Sequence, residues 1–374
     1  MERINRKPAD LVLIVDLVLL LGIGVVVLFS ASAYYAERVT GNPYFYLKRQ
    51  IVWIVIGLFV GIIASLTPLD LLRRITPMVV FLSLSLLLMT FIPGLSRPVL
   101  GARRWIFIFG QSFEPSELVK FAVVLYLAYI LDKKKVDIDP VNTILPPAVL
   151  VSLFLALIYL QNDFSTAFFI LFIAVAMFFI AEVKILYFMM LGVVVVPLGI
   201  LLLFTREHRV KRLIAFLDPM SDPAGTGYQV IAARSALING GILGKGLSLG
   251  EKKMGGLPEA HSDFIFAVIG EEMGFIGAIA IISLFLVVAW RGYTIAYRAE
   301  DKFIKYLAFG ISTLIVFQAF LNMAVVTGLV PATGITLPYF SSGGSSLVVT
   351  LLMTGVLLRL SREADGADRR KAYG

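Results

Sequence analysis

The sequence predicts an all-α, polytopic membrane protein with about ten transmembrane helices and one large extracytoplasmic loop. Hydrophobic residues make up 59% of the 374 residues and charged residues 16%, whereas a soluble domain is nearer half apolar and a quarter charged. Apolar runs of roughly 20 residues recur along the chain, and each can cross the ~30 Å hydrocarbon core as a helix. Helices satisfy their own backbone hydrogen bonds in lipid, so helical spans are expected.

Composition also excludes several kinds of site. The chain has no cysteine and two histidines, which excludes a disulfide framework, a thiol site and a histidine-rich metal cluster. The net charge of +8 indicates contact with membrane lipids that carry anionic headgroups, or with an anionic substrate. Nucleic acid is not expected as a partner because the basic residues are divided among many short loops.

The apolar segments predict one integral membrane domain over residues 1–374. The predicted spans cover approximately residues 11–31, 50–67, 76–93, 115–131, 145–160, 164–181, 184–204, 263–290, 303–325 and 344–360. The first run is longer than the ~7–15 residues of a signal-peptide core, which favours a retained helix. Only residues 161–163 interrupt the pair 145–181, which predicts a tight polar turn.

The lysines and arginines of the short loops predict the orientation. With the N-terminus inside, the inner loops and a cytoplasmic tail, 361–374, carry most of these residues, so both termini are expected to be cytoplasmic. The large loop 206–262, between predicted helices 7 and 8, would lie outside.

One short outer loop runs against this charge bias, because it contains Arg97, Arg103 and Arg104 beside Trp105. These arginines either meet lipid phosphates, with Trp105 as an interfacial anchor, or bind an anionic ligand. Arginine presents a planar fork that suits phosphate oxygens.

Charged residues also open two of the spans. Glu117 and Lys120 are three residues apart, so they share a helical face and can pair. The pair either only neutralises itself or faces a polar cavity and orients the arginine loop before it. Asp163 precedes the sixth span and is expected either to cap that helix or to contribute to a site.

The large loop has an internal pattern. Residues 228–238 show helical spacing of apolar residues followed by a glycine stop, which predicts an amphipathic helix along the membrane surface. A glycine-rich, hinge-like segment follows. At the far edge of the loop, Asp263 lies where water meets the start of an apolar helix. Because an unpaired carboxylate in hydrocarbon costs several kcal/mol, a carboxylate at this place is expected to have a function.

The last outer loop, 327–346, contains too much proline and glycine for a helix and is too apolar for a free loop. Irregular backbone at membrane depth is tolerated where it lines a cavity or is buried in protein. We therefore expect a folded-in segment beside the same outer cavity. Gly343 and Gly344, followed by Ser345, suit a helix start whose N–H groups can bind an anion.

Several stretches, spread over nearly the whole chain, carry a family resemblance. They are Gly101–Ile106, Pro115–Lys120, Tyr228–Gln229 with Ala236–Gly241, Leu257–Ala267 and Thr333–Ser346. In this order they resemble the SEDS family (shape, elongation, division and sporulation), the membrane glycosyltransferases that polymerise peptidoglycan. The stretches Pro258–His261, Ile269–Glu272 and Thr333–Thr336 resemble its cell-division (FtsW-like) branch more than its elongation (RodA-like) branch. Asn162 and Ser342 depart from residues that the family often has at these positions.

The resemblance implies an enzyme that joins lipid II, as donor and acceptor, into β-1,4 glycan strands at the outer face of the membrane for septal wall synthesis. The family's essential aspartate falls on Asp263, and its conserved intramembrane glutamate and lysine fall on Glu117 and Lys120. The implied partners are a class B penicillin-binding protein, which crosslinks the new strands, and other divisome membrane proteins.

The residues suggest how such chemistry could proceed. Conversion of an α-linked diphosphate into a β-linked product needs one base and a cation for the leaving group, and one carboxylate can serve as the base. Asp263 is the candidate catalytic residue, with Glu259 and His261 as rivals; an N-cap role is the structural alternative for Asp263. The candidate substrate-binding residues are Arg103, Arg104, Glu117, Lys120, Asp163, Arg234, His261 and Ser345. No carboxylate cluster has clear ligand spacing, so a divalent cation (Mg²⁺ or Mn²⁺) stays open.

Two other functions compete with this one. A lipid II flippase or another transporter would need polar groups along both halves of the membrane, whereas the polar features concentrate on the outer side. A scaffold that recruits a partner enzyme would not need Asp263. Within the family, an elongation-type polymerase is the remaining alternative.

Overall fold

In the computed structural model, membrane-length helices form a bundle with polar connections at both ends. The structure describes residues 9–372 except 97, 99–101, 109–110, 134–139, 224, 226, 252 and 254–255. The helices are α1 (Leu11–Thr40), α2 (Phe45–Leu66), α3 (Leu69–Met89), α4 (Pro115–Lys133), α5 (Pro140–Leu160), α6 (Phe164–Ile180), α7 (Ile185–Phe204), α8 (Glu207–Leu217), α9 (Tyr228–Gly240), α10 (Ile265–Arg298), α11 (Lys302–Thr327) and α12 (Gly344–Ala372). Strands β1 (Ile106–Ile108) and β2 (Gln111–Phe113) pair antiparallel before α4.

Each of the ten predicted spans coincides with a helix, and the predicted fold class is confirmed. Within the described residues, seven helices are long and apolar enough to cross a membrane, namely α1, α2, α3, α7, α10, α11 and α12 as far as Ala364. The apolar parts of α5 and α6 are shorter. Helix α4 carries charges but is almost entirely buried, because α3, α6 and α11 pack around it.

Successive spans alternate in direction, so their connections fall at two ends of the bundle. At one end, Arg291 pairs with Asp10, and Arg73 Nη2 lies 2.5 Å from Asp301 Oδ2. The opposite end carries the β1–β2 hairpin, the α5–α6 turn, α8, α9 and the segment 328–343, and is hereafter the site end. The predicted turn at 161–163 is confirmed: Asn162 has φ +64°, and Gln161 Nε2 donates to Thr90 Oγ1 at 2.6 Å.

The segment 206–262 is folded. It contains α8, which the sequence analysis did not predict, and α9, which coincides with the predicted helix at 228–238. The buried face of α9 consists of small residues such as Ala232, Ala233 and Ala236, whereas Ile238 is 78% exposed. The buried face is thus made of small side chains because α9 packs closely against α10, and the placement of α9 along the membrane surface stays a prediction.

The glycine-rich segment after α9 enters a break in α10. Gly274 has φ +67°, a left-handed value outside the helical range. Phe275 N donates to Gly241 O at 2.9 Å, and Gly246 N donates to Glu272 O at 3.0 Å. The segment thus supplies partners for backbone groups that the break leaves open, and a hinge-like extended segment is not observed.

The segment 328–343 is folded in, as predicted. Ile335, Leu337 and Phe340 are buried. Asn322 Nδ2 donates to Ile335 O at 2.8 Å, and Gln318 Nε2 donates to Thr336 O at 3.1 Å. Polar side chains of α11 therefore satisfy the irregular backbone, as burial requires.

Some boundaries differ from the prediction. Helix α1 runs on to Thr40, and α12 continues through the predicted tail as far as Ala372. The β1–β2 hairpin lies outside the predicted spans and was not predicted. These additions lie beyond the apolar runs, where hydropathy carries no signal.

Substitution at Gly355 should weaken the contact between α2 and α12. A Cβ at Gly355 would meet the Gly61 carbonyl oxygen, and small residues permit such close approach of membrane helices. We expect Gly355→Val to destabilise the fold by roughly 1–3 kcal/mol, a typical overpacking cost. Gly192→Val on α7 is the control, because nothing lies within 4 Å of its Cβ position. Equal melting temperatures of the two detergent-solubilised variants would contradict the close approach.

Candidate active site

The loop 257–264 carries Asp263 to the start of α10, and hydrogen bonds hold it against neighbouring segments. Ser341 Oγ donates to Ser262 O at 2.7 Å, and Asn322 Nδ2 donates to Asp263 O at 2.8 Å. Glu259 closes a turn with φ +54°. The backbone around Asp263 is thus fixed by α11 and the segment 328–343.

The Asp263 carboxylate is half-buried and is not the N-cap of α10, a position held by Phe264. Ser262 Oγ donates to Asp263 Oδ1 at 3.0 Å. Burial raises the pKa of Asp263, opposed by the Ser262 hydrogen bond; the charge of Glu259 also raises it, and Arg212 and Arg104 lower it. The result is a carboxylate that accepts a proton more readily than an exposed aspartate does.

A small cavity lies beside Asp263 at the site end. Its charged lining residues are Arg104, Glu114, Glu117, Lys120 and Asp163. Gly334 also lines the cavity, and a Cβ at Gly334 would lie 3.5 Å from Asp263 Oδ2. Asp263 and the charged cavity are therefore neighbours.

Glu117 and Lys120 form the predicted pair, with Lys120 Nζ 2.7 Å from Glu117 Oε2. Lys120 Nζ also donates to Gln318 Oε1 at 2.8 Å and lies 5.5 Å from the centroid of the Phe169 ring. Since both charged residues line the cavity, the pair neutralises itself and also faces a polar space.

Asp163 caps α6, as one of its two expected roles required, and it also lines the charged cavity. Its Oδ1 accepts from Thr166 N at 3.2 Å, which caps α6, and lies 3.5 Å from Arg104 Nη1. Arg104 Nη2 also donates to Asn162 O at 2.5 Å. The helix cap thus holds one of the two cations that line the cavity.

Glu114 lies at the same cavity, just before α4. Burial raises the pKa of Glu114 to about 8, with additional contributions from Glu117 and Asp163 against the charges of Arg104 and Lys120. At neutral pH this carboxyl is mostly protonated and can donate a hydrogen bond.

A second cavity, of about 400 Å³, lies on another side of the Asp263 loop. It is lined by Tyr34, Tyr35 and Arg38 of α1 and by Glu259 and His261 of the loop. The His261 ring stacks on Tyr35 at a centroid distance of 5.2 Å. Burial lowers the pKa of His261 to about 4, so this imidazole is neutral at physiological pH.

Three predicted binding residues line neither of these two cavities. Arg103 is exposed, Arg234 Nη2 donates to Gly328 O at 3.4 Å, and Ser345 is buried in the first turn of α12. None of the three lines the cavity beside Asp263. Their assignment to substrate stays a prediction.

The structure adds site residues that sequence reasoning did not select. Arg212 Nη1 donates to Ala332 O at 3.4 Å, and Arg212 is close enough to Arg104, Asp263 and Asp163 for their charges to act on it. Gln318 and Asn322, four residues apart, are polar groups within an apolar span; that pattern alone could have indicated a site. Only the fold brings Arg212 to Asp263.

The described residues contain no group of three or more histidine, aspartate or glutamate side chains arranged to hold a metal ion. The possible divalent cation (Mg²⁺ or Mn²⁺) therefore stays a prediction.

These features define a class: a polytopic α-helical membrane protein with a buried charged cavity and a poised carboxylate at one end of its bundle. A family model described as cell cycle protein, covering FtsW, RodA and SpoVE, matches residues 11–366. The chain belongs to this family.

Individual relatives agree with this membership. The chain is 41% identical over 360 residues to the probable peptidoglycan glycosyltransferase FtsW of Geobacter sp. (strain M18), covering 96% of this chain and 98% of the relative. A solved chain from a peptidoglycan synthase complex that coordinates polymerization and crosslinking is 27% identical, with a TM-score of 0.77 and coverage of 95% and 98%. The rod shape determining protein RodA of Thermus thermophilus is 25% identical, with a TM-score of 0.69 and coverage of 95% and 97%.

Neutralising one member of the Glu117–Lys120 pair should destabilise the fold more than neutralising both. Lys120→Met leaves a buried carboxylate uncompensated, which typically costs about 3–5 kcal/mol. We expect the double variant Glu117→Gln/Lys120→Met to regain most of the lost melting temperature. Lys211→Met is the control: it removes the exposed ion pair between Lys211 and Glu207 and should leave the melting temperature unchanged. A double variant less stable than Lys120→Met would argue against mutual compensation.

Proposed function

We propose that this chain is a peptidoglycan glycosyltransferase that joins lipid II molecules into β-1,4 glycan strands for septal wall synthesis. The observation that carries the proposal is the placement of Asp263: a half-buried carboxylate of raised pKa beside arginine and lysine side chains. The chain belongs to a family in which relatives such as the Geobacter protein are named peptidoglycan glycosyltransferase FtsW.

In the proposed reaction, the free hydroxyl of the acceptor sugar attacks the anomeric carbon of the donor. Asp263 takes the hydroxyl proton as the new carbon–oxygen bond forms. The bond between the anomeric carbon and the diphosphate oxygen breaks, and its electron pair leaves with the lipid diphosphate. One such displacement converts an α linkage into a β linkage, and one carboxylate base is sufficient for it.

The cavities on different sides of the Asp263 loop suit the two substrates. Arg104 and Lys120 line the charged cavity and offer N–H donors to phosphate oxygens of the donor, although each is also paired with a carboxylate. The larger cavity, with Tyr34 and Tyr35, offers apolar ring faces and polar groups to the acceptor sugar. The loop that carries Asp263 lines the larger cavity through residues 257–261, and Asp263 Oδ2 lies 3.5 Å from the Cβ position of Gly334, which lines the charged cavity. In the proposed reaction Asp263 meets the acceptor hydroxyl between the two cavities.

For orientation, we propose that the site end lies at the outer face of the cytoplasmic membrane and that both termini are cytoplasmic. The end opposite the site carries Arg73, Arg291 and Arg359 in or beside short connections. Basic residues in short loops favour the cytoplasmic side. Loop 206–262 and the charged cavity would then face the periplasm, with the lipid tails lying among apolar helices.

Partner proteins follow from the same proposal. The related chain from a peptidoglycan synthase complex works where polymerization and crosslinking are coordinated. We propose a class B penicillin-binding protein as the crosslinking partner of this chain, together with other divisome membrane proteins.

Replacing Asp263 should abolish glycan synthesis and leave the fold intact. We expect Asp263→Asn to lower the rate of lipid II polymerisation by about 10²–10⁴-fold, the usual contribution of a general base. The purified protein is assayed with labelled lipid II, and its melting temperature is recorded. Asp218→Asn, an exposed aspartate of the same loop, is the control and should polymerise normally.

Near-normal glycan synthesis by Asp263→Asn would show that Asp263 is not the base. Transport of labelled lipid II across liposomes without polymer on a gel would instead favour the flippase alternative. An Asp263→Asn variant that still activates a partner enzyme while wild type makes no glycan alone would favour the scaffold.

The pH dependence should report the burial of Asp263. Only the ionised carboxylate accepts the proton, so the rate falls as pH drops through its pKa. Because burial raises that pKa, the midpoint of the acid limb should lie above ~3.9, the value of an ordinary aspartate. Glu259 raises the pKa further, so Glu259→Gln should move the limb to lower pH, whereas Asp218→Asn should not. A midpoint that stays fixed in Glu259→Gln would contradict this electrostatic account.

A further inference from the structure

Helix α8 crosses the site end with one face towards the bundle. Arg209 and Arg212 are three residues apart and so share that face. Lys211 lies on the other side of the helix, where its Nζ is 2.8 Å from Glu207 Oε1 and its side chain is 54% exposed. The basic residues of α8 therefore have different surroundings.

Arg209 attaches α8 to the bundle. Its side chain is 7% exposed, and Nη1 donates to Leu202 O at 2.8 Å at the end of α7. The guanidinium lies over the Tyr159 ring at 4.6 Å and the Phe164 ring at 5.2 Å from their centroids. Cation–π contacts of this kind contribute most where the cation is desolvated, so Arg209 fixes α8 onto the α5–α6 turn.

Arg212 is exposed and reaches the segment 328–343 at Ala332, two residues before Gly334, whose Cβ position lies 3.5 Å from Asp263 Oδ2. Its contact with Ala332 O is long, at 3.4 Å, and none of the described carboxylates lies within ion-pair distance of it. The cations that line the charged cavity differ from Arg212 in that both are paired with carboxylates: Arg104 pairs with Asp163, and Lys120 pairs with Glu117. Each of these pairs is already close to neutral.

This difference in pairing matters for an anionic leaving group. A lipid diphosphate carries more than one negative charge, and two neutral ion pairs offer it little net attraction. Arg212 has no described carboxylate within ion-pair distance and donates a long hydrogen bond to the neutral Ala332 carbonyl, so it can turn to the diphosphate at small cost. Charge-assisted hydrogen bonds to phosphate are about twice as strong as neutral ones.

We propose that Arg212 is a binding residue for the diphosphate of the lipid substrate and that Arg209 is the positioning residue that sets α8 so that Arg212 reaches it. This inference rests on the proposed function for the identity of the lipid. In the proposed reaction, Arg212 stabilises the negative charge that develops on the diphosphate oxygen as the bond to the anomeric carbon breaks. Arg209 does not touch the substrate and acts through α8.

Lipid diphosphate binding tests Arg212 independently of turnover. The full-length protein, purified in detergent, is titrated with a polyprenyl diphosphate and with the matching monophosphate. We expect Arg212→Ala to bind the diphosphate at least tenfold more weakly, with a smaller change for the monophosphate, and Arg212→Lys to recover part of the loss. Lys211→Ala is the matched control and should bind as wild type does. Wild-type diphosphate affinity in Arg212→Ala would overturn the proposal.

A double-mutant cycle separates positioning from a general loss of stability. Arg209→Ala should weaken diphosphate binding to a similar extent, and Arg209→Ala/Arg212→Ala should lose no more than Arg212→Ala alone, because both act through one contact. Arg209→Lys should restore part of the affinity by keeping the cation over the rings. Additive losses, or a lower melting temperature with unchanged affinity, would overturn the positioning role.

The two proposals can fail separately. If Asp263→Asn polymerises lipid II normally but Arg212→Ala loses diphosphate affinity, the base assignment is wrong and the binding site stands. If Asp263→Asn is inactive and Arg212→Ala binds the diphosphate as wild type does, the enzyme proposal stands and the arginine assignment is wrong.

Discussion

Burial of charge among apolar helices is the constraint on which the site depends. Glu117 and Lys120 are buried at the start of α4, and Asp163 is buried at the start of α6. A single uncompensated charge there would cost several kcal/mol, so the fold requires pairing: Lys120 with Glu117 and Arg104 with Asp163. Pairing makes the cavity compatible with its surroundings, and it also removes most of the net positive charge that an anionic substrate needs.

This conflict accounts for the proposed contribution of a second structural element, α8, to substrate binding. The core helices cannot hold an unpaired buried cation cheaply, whereas α8 lies at the end of the bundle and can present Arg212 with its head near water. Helix α7, which leads into α8, has no buried residue, and Arg209 connects this part of the chain to the α5–α6 turn. The charge that stabilises the fold and the charge proposed to bind substrate thus come from different elements.

The sequence predicted features that depend on local pattern. Hydropathy located every span, the three-residue spacing gave the Glu117–Lys120 pair, and the polar turn gave the Asp163 cap. The composition of 327–346 indicated a folded-in segment, because its backbone needs partners such as Asn322. The break at Gly274 was not predicted, since the apolar pattern continues through it and the groups that compensate it come from 241–246. The approach of Arg212 to Asp263 was likewise beyond local pattern, as it depends on how α8 packs.

A buried ion pair helps to hold the loop that carries Asp263, the proposed base. Lys253 Nζ lies 2.5 Å from Glu272 Oε1, and Ser30 Oγ donates to the same carboxylate at 2.7 Å. Such a pair adds little net stability over apolar packing, but it fixes the chain just before loop 257–264 to α1 and α10. Asn322 and Ser341 fix the loop beyond it. Asp263 is therefore held from two sides, as its proposed role as a preorganised base requires. Helix α8, which has few buried residues, carries Arg212, the proposed ligand of the diphosphate.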